Sequence, residues 1–288
     1  MDILIDNGLV APARTGLVVM LKAPANAKRR LAAQVGDLAE EAAARLLACA
    51  LEDALAWPGP TWLSPADPQD RDWLLSEIGA ETTPEPTLSP QLGTCGDPHD
   101  STVTHHDEIC GLILQQGANL GERLNYVDGE LRHPGERINY VDNEMRRRGI
   151  GGLIFVGTDC PGLDSAYLSQ AASNLQSADA VLGPAEDGGV VLMGARRPWP
   201  DLRELGWGTQ NLCAELHSLC RATGWSVAML DARKDIDTLR DLLGAGAALS
   251  DDRRASRRGF AEWLRAHRDA LLARQSGGAA EMLREAVS

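Results

Sequence analysis

Gly152-Leu153-Ile154-Phe155-Val156-Gly157-Thr158-Asp159-Cys160-Pro161 is the stretch from which the rest of the chain can be read. Four apolar residues, Leu153 to Val156, stand between glycines. That length and composition suit a strand buried on both faces of a parallel sheet. Pro161 has no backbone N–H to give to a ladder and stops the run from continuing. Asp159 is therefore expected at the carboxyl end of a central strand, and ligands of open α/β sheets bind in the crevice beyond those ends. A carboxylate there can hold a divalent cation, since Mg²⁺ is usually kept by one or two carboxylates plus substrate phosphates. Asp159 could equally cap a helix starting near Ser165 or close a turn, both common uses of aspartate.

Upstream, Leu17 to Leu21 reads as the first buried strand. Lys22-Ala23-Pro24-Ala25-Asn26-Ala27-Lys28-Arg29-Arg30-Leu31 follows, with four cations in nine residues. Asp37 then precedes an alanine- and leucine-rich helix running to about Ala56. Strand, basic loop and helix in that order suit an anion at the start of a βαβ unit, although loop cations are often merely solvated. Trp57-Pro58-Gly59-Pro60 breaks the helix, Thr61 to Ser64 reads as a second strand, and Asp70 to Ile78 as a further helix. Residues 79–106 are rich in Pro, Thr, Gly, Asp and His and read as a long surface loop.

Downstream, Ser165 to Leu175 reads as a helix and Ala180 to Leu182 as a strand. Gly183-Pro184-Ala185-Glu186-Asp187-Gly188-Gly189 follows, then a second apolar run, Val190 to Met193. Asp187 before two glycines could be a turn, could bind sugar hydroxyls, or could act as a base. Gln210 to Thr223 reads as an amphipathic helix, Val227 to Leu230 as a strand, and Thr238 to about Leu243 as a short helix after the acids of Asp231 to Asp237. Beyond Ser250, arginines interleaved with Phe260, Trp263, Leu264, Leu271 and Leu272 suit an amphipathic helix packed on the domain or on a second copy of the chain, leaving a homodimer open.

Composition narrows the classes. The 288 residues can make one large α/β domain or two small ones, and 44% hydrophobic content permits a core. Twenty-eight Lys and Arg against 41 Asp and Glu give a net charge of −13, which argues against non-specific nucleic-acid binding but not against one nucleotide. No membrane span and no secretory pattern at the N-terminus are read, and six cysteines without a Cys-x-x-Cys pair suggest a reduced cytoplasm. Cys95, His99, His105, His106 and Cys110 lack the paired spacing of structural zinc. Gly121-Glu122-Arg123-Leu124-Asn125-Tyr126-Val127-Asp128 recurs as Gly135-Glu136-Arg137-Ile138-Asn139-Tyr140-Val141-Asp142, 14 residues later. Pro134-Gly135 is expected to break any helix between the copies.

Four motifs in order carry a resemblance: Lys22-Ala23-Pro24 with Lys28-Arg29-Arg30-Leu31; Gly157-Thr158-Asp159-Cys160-Pro161; Gly183-Pro184-Ala185-Glu186-Asp187-Gly188-Gly189; and Asp235-Ile236-Asp237-Thr238. Together they resemble the bacterial DUF2064 group, GT-A-like proteins that include glycosyltransferases of arsenosugar biosynthesis and are related to cofactor guanylyltransferases. Asn119-Leu120-Gly121-Glu122-Arg123 resembles a further family segment and singles out the first repeat copy.

The resemblance implies an α/β, three-layer nucleotide-diphospho-sugar transferase fold with a mostly parallel central sheet over residues 16–245, and a helical extension over 246–288. It implies a metal-dependent glycosyltransferase using a nucleotide-sugar and a small-molecule acceptor. A nucleotidyltransferase using an NTP, or a non-catalytic nucleotide-binding protein, are the alternatives. By the same resemblance Lys22, Lys28 and Arg30 would bind phosphates and Asp159 and Asp237 would hold Mg²⁺ or Mn²⁺. Asp159 and Asp187 would serve catalysis, while Asp187, Gly188, Gly189 and Arg123 would shape the acceptor or sugar pocket.

Overall fold

Strand β1 (Thr15–Leu21) sends Leu17, Val19 and Leu21 into one apolar cluster and Val18 into another. Successive strand side chains point to opposite faces, so β1 is covered on both. The structure is a computed structural model that describes residues 15–66, 68–77, 111–112 and 134–275. Six more strands join β1: β2 (Thr61–Pro65), β3 (Gly111–Leu112), β4 (Gly152–Val156), β5 (Ala180–Pro184), β6 (Val190–Ala195) and β7 (Val227–Met229). The sheet order is β3-β2-β1-β4-β6-β5-β7, so the Leu153–Val156 run lies on its central strand, with every residue of β4 buried.

Neighbouring strands run parallel from β3 through β4 and again at β5 and β7. β6 alone is antiparallel, to both β4 and β5. The cause is local. The 185–189 turn is closed by the Ala185 N–H on the Gly189 carbonyl (3.0 Å) and the Gly188 N–H on the Ala185 carbonyl (3.1 Å). A turn that short can join only antiparallel strands. Gly188 is obligatory in it: its φ is +92°, and a Cβ would lie 1.9 Å from the Gln210 carbonyl oxygen.

Helices cover both faces. On one side α2 (Leu38–Ala56) and α5 (Ser165–Asn174) bury Leu47, Ala54, Tyr167 and Leu168 against Leu17, Ile154 and Val181. On the other, α4 (Pro134–Arg147) and α6 (Leu212–Ala222) bury Val141, Met145, Leu212 and Leu216 against Val18, Phe155 and Leu182. A third cluster joins α1 (Arg29–Val35) and the far face of α2 to α7 (Leu239–Ala248) and α8 (Ala255–Ala266). Helix α7 runs past the expected end near Leu243, through Gly244 and Gly246. Burial of Leu242, Ala245 and Leu249 outweighs the roughly 1 kcal/mol that each glycine costs a helix. Helix α3 (Pro68–Glu77) packs beside β2.

The second repeat copy forms the first half of α4, which starts at Pro134, where a proline is tolerated. The copy's residues dock it. A Cβ on Gly135 would lie 2.1 Å from the Leu202 carbonyl oxygen, so the helix approaches that segment as only glycine permits. Asn139 donates to the carbonyls of Trp199 and Pro200 and accepts from the Leu202 N–H. Asp142, 1% exposed, accepts from the Trp199 N–H and from Arg146, whose guanidinium also caps four carbonyls at the ends of β4 and β6. The first copy, the 79–106 stretch and the Cys–His cluster lie outside the described residues.

The C-terminal arginines are not an exposed face. Arg257, on α8, is fully buried; it donates to Glu52 and Asp53 of α2 and to the carbonyls of Cys49, Pro161 and Leu163. Arg254 bonds Asp53 (2.9 Å) and the Leu163 carbonyl (2.7 Å) as well. Among the described residues no helix is long and apolar enough to cross a membrane.

Candidate functional site

β1 and β4 run parallel, so their carboxyl ends open on the same edge of the sheet, and β6 starts there because it is antiparallel. Three loops meet at that edge: residues 22–28 after β1, 157–163 after β4, and 230–238 after β7. A cleft of about 550 Å³ opens between them, a volume ordinary for a small-molecule site. Lys22, Lys28, Arg30, Thr158, Asp159 and Asp237 line its polar wall, while Met20, Phe155, Val191 and Trp207 line the apolar one.

The loop after β1 is anchored at two points. Asp70 of α3, wholly buried, accepts from the Ala23 N–H (2.8 Å) and from the Asn26 amide (2.9 Å). At the loop's end Lys28 takes the left-handed conformation, φ 54° and ψ 42°, immediately before α1. Among the described residues it is the only non-glycine with positive φ, a strained conformation of the kind that functional sites retain. That turn aims the side chain between two acids: the Lys28 ammonium lies 2.9 Å from Asp237 Oδ1 and 3.4 Å from Asp159 Oδ2. Arg30 reaches Asp237 Oδ2 at 3.4 Å from the open side.

Each acid is placed by its backbone. Asp159 follows the buried strand β4. Asp164, not Asp159, caps α5, accepting from the Tyr167 N–H at 2.7 Å. Asp237 precedes Thr238, which caps α7 in a reciprocal capping box with Asp241. Between them the Ile236 N–H donates to the Asp159 carbonyl at 2.9 Å, fastening one acidic loop to the other.

Burial alone would lower the Lys28 pKa, but Asp159 and Asp237 outweigh it and hold it above its ordinary value. Asp235 goes the other way: burial first, then the charges of Asp187, Asp159 and Asp237, push its carboxyl up to about 6. The Cys160 thiol, beside Asp159, is pushed up to about 12, chiefly by burial, and is no nucleophile at neutral pH.

The structure thus brings Lys22, Lys28, Arg30, Asp159 and Asp237 into one cleft. Gly188 and Gly189 sit outside its lining, in the turn that enters β6, and the exposed Asp187 accepts from the Gly189 N–H (2.9 Å), the geometry of an Asx turn. A bridge between Ala185 and Arg233 carries that turn alongside the acidic loop. Arg123 lies outside the described residues; its counterpart in the second repeat copy, Arg137, lines the cleft.

Four residues here were given no role at the site from the sequence. Asp235 stood two positions before Asp237, in the same motif. Arg137 was visible as the repeat's second arginine, and Trp207 stood in the segment Gly206-Trp207-Gly208-Thr209. Asp70 carried no local signal, because its partners Ala23 and Asn26 are more than forty positions away.

Among the described residues no three His, Cys, Asp or Glu side chains form a ready-made metal cage. The Asp159–Asp237 pair nevertheless fits a cation, for carboxyl oxygens of both already lie within 3.4 Å of one ammonium nitrogen. Two carboxylates completed by phosphate and water make a common Mg²⁺ site.

No curated protein matches the chain. Among solved structures, a protein from Desulfovibrio desulfuricans G20, provisionally named a nucleotide-diphospho-sugar transferase, superposes with a TM-score of 0.65. It is 20% identical, over 90% of this chain and 96% of that one. A nucleotidyl transferase from Methanothermobacter thermautotroptrophicus reaches a TM-score of 0.48 at 12% identity, over 80% of this chain and 95% of that one. The first likeness shows the fold, a nucleotide-diphospho-sugar transferase sandwich. Two of the four motifs, Gly157–Pro161 and Gly183–Gly189, also fall inside a family match: residues 85–209 fit the DUF2064 family, described as uncharacterised proteins conserved in bacteria.

Proposed function

We propose that the chain is a metal-dependent transferase acting on a nucleotide-activated donor, and that it transfers a glycosyl group to a small-molecule acceptor. One observation carries the reading: Lys28, at the end of the loop after β1, meets both Asp159 and Asp237, with Arg30 of α1 against Asp237, in a cleft at the carboxyl edge of the sheet. The fold supports it, since ligands of such sheets bind at that edge.

In this reading Asp159 and Asp237 hold Mg²⁺ or Mn²⁺, which supplies charge neutralisation at the leaving phosphate. Lys28 and Arg30 bind the phosphate oxygens through charge-assisted hydrogen bonds, and Lys22 adds positive field at the rim. Phe155, Val191 and Trp207 give the donor an apolar wall that excludes water. Proton removal from the acceptor hydroxyl falls to an acid beside the Asp159–Asp237 pair, Asp187 or Asp235, and the raised Asp235 carboxyl suits a base working near neutral pH.

The test is product identity. Purified protein with Mn²⁺ is incubated with UDP-sugars and, separately, with NTPs plus phosphorylated acceptors. Release of UDP supports glycosyl transfer and release of pyrophosphate would replace it with nucleotidyl transfer. Binding without turnover across both panels would leave a nucleotide-binding protein that is not an enzyme.

A further inference from the structure

The place between Asp159 and Asp237 is already held by a cation of the chain itself. The side chain of Lys28 is 9% exposed, so its ammonium is shielded from water and its charge is satisfied by these two acids. Mg²⁺ would need the same carboxylate oxygens at about 2.0–2.1 Å. An ammonium within 3.4 Å of those oxygens and a dication bound to them would repel one another at close range. The lysine must move.

We propose that Lys28 is a resident cation that blocks metal binding until a phosphate-bearing ligand enters, whereupon its ammonium leaves the two acids for the phosphate. The inference rests on the reading of Asp159 and Asp237 as the metal-holding pair. Three features give the exchange its means. Lysine is a point charge on a flexible four-carbon stem, able to change partners without moving the backbone. Lys28 lines the cleft itself, so a diphosphate lying there is within its swing. Arg30, with its side chain 65% exposed, touches Asp237 from the solvent side and can meet the incoming anion first.

Metal and diphosphate then bind with positive coupling, each raising the affinity of the other by the same factor. Bare metal binds weakly, because it must displace a buried ammonium from the two acids that satisfy its charge. The cleft therefore selects a metal–diphosphate complex over the separate ion.

The experiment measures Mn²⁺ affinity of metal-free protein by electron paramagnetic resonance, with Mn²⁺ alone as the probe. Wild type, Lys28→Met and Lys28→Arg are compared, and folding is checked by circular dichroism. Lys28→Met is expected to bind Mn²⁺ at least tenfold more tightly than wild type, with Lys28→Arg staying close to wild type because it keeps the charge. Calorimetry with pyrophosphate is then expected to show that Mn²⁺ tightens pyrophosphate binding in wild type at least fivefold more than in Lys28→Met. Equal Mn²⁺ affinity in wild type and Lys28→Met would overturn the exchange while leaving the metal site standing. Mn²⁺ binding unchanged by both Asp159→Asn and Asp237→Asn, or absent from every variant with and without pyrophosphate, would overturn the metal reading and the exchange with it.

Discussion

The backbone N–H of Ile236 donates to the carbonyl of Asp159 across 2.9 Å, joining the loop after the central strand β4 to the loop after the edge strand β7. Ile236 is 1% exposed and packs in the cluster formed by α1, α2, α7 and α8. The spacing of the two acids is therefore set by the core. Asp237→Asn removes charge without removing packing. It is expected to leave the melting temperature within a few degrees of wild type while weakening Mn²⁺-dependent pyrophosphate binding at least tenfold, read by calorimetry. A collapse of the fold in this variant would contradict the placement.

Asp235 lies among like charges and pays for it in an uphill ionisation, its carboxyl pushed to about 6 by burial and by Asp187, Asp159 and Asp237. Asp235→Asn is expected to raise the melting temperature at pH 8 in the presence of EDTA, because it deletes a charge that the folded state disfavours. The same variant should lower turnover if Asp235 takes the acceptor proton. Thermal melts and a turnover assay on one preparation read both.

Asp179 makes the opposite case. Its carboxyl accepts from the N–H and hydroxyl of Ser226 and from Arg196, and these bonds hold its pKa down to about 2, with the Ser226 bonds foremost. A depressed carboxylate stabilises the fold above its unfolded pKa of about 3.9 and loses that contribution as pH falls towards 2. Asp179→Asn should thus melt lower than wild type at pH 6, with the gap closing between roughly pH 4 and pH 2.

Arg257 and Asp53 form a pair sealed inside the protein, and burial works to raise the Asp53 carboxyl against the pull of Arg257 and Arg254. Removing one partner strands the other, so Arg257→Met is expected to cost about 3–5 kcal/mol in urea denaturation. The double variant Arg257→Met with Asp53→Leu should recover part of that loss, which a cycle of the four proteins measures.

The repeat reaches further than its first eight residues. Leu131-Arg132 stands where the second copy has Met145-Arg146, so the Asp142–Arg146 pair has a counterpart in Asp128 and Arg132. Asp142→Ala, which removes the buried carboxylate that Arg146 pairs with, should cost about 3–5 kcal/mol.

What could be read in advance follows from the range of the interactions. Leu153–Val156 and Leu17–Leu21 were legible as buried strands because an uninterrupted apolar run states its own burial. Asp159 and Lys28 were legible because each sits at a fixed step from such a run. That Asp237 joins them was not legible from local pattern, since it depends on how β7 and α7 return to β4, and only the family resemblance brought it in. Asp159 was weighed as a cap although it stands six positions before Ser165, and the cap is Asp164, directly before the helix. The antiparallel turn into β6 was concealed by an apolar composition common to both strand directions. Arg257 read as one of several arginines on an amphipathic helix, and nothing local distinguished the buried one from its exposed neighbours.

Arg257 donates to the carbonyl of Pro161, 96 positions earlier in the chain. The turn just beyond Asp159 is therefore clasped by α8, whose residues do not line the cleft. A lesion in the buried Arg257 network would loosen that turn from behind, so damage far from the cleft is felt at its rim as well as in the stability of the fold.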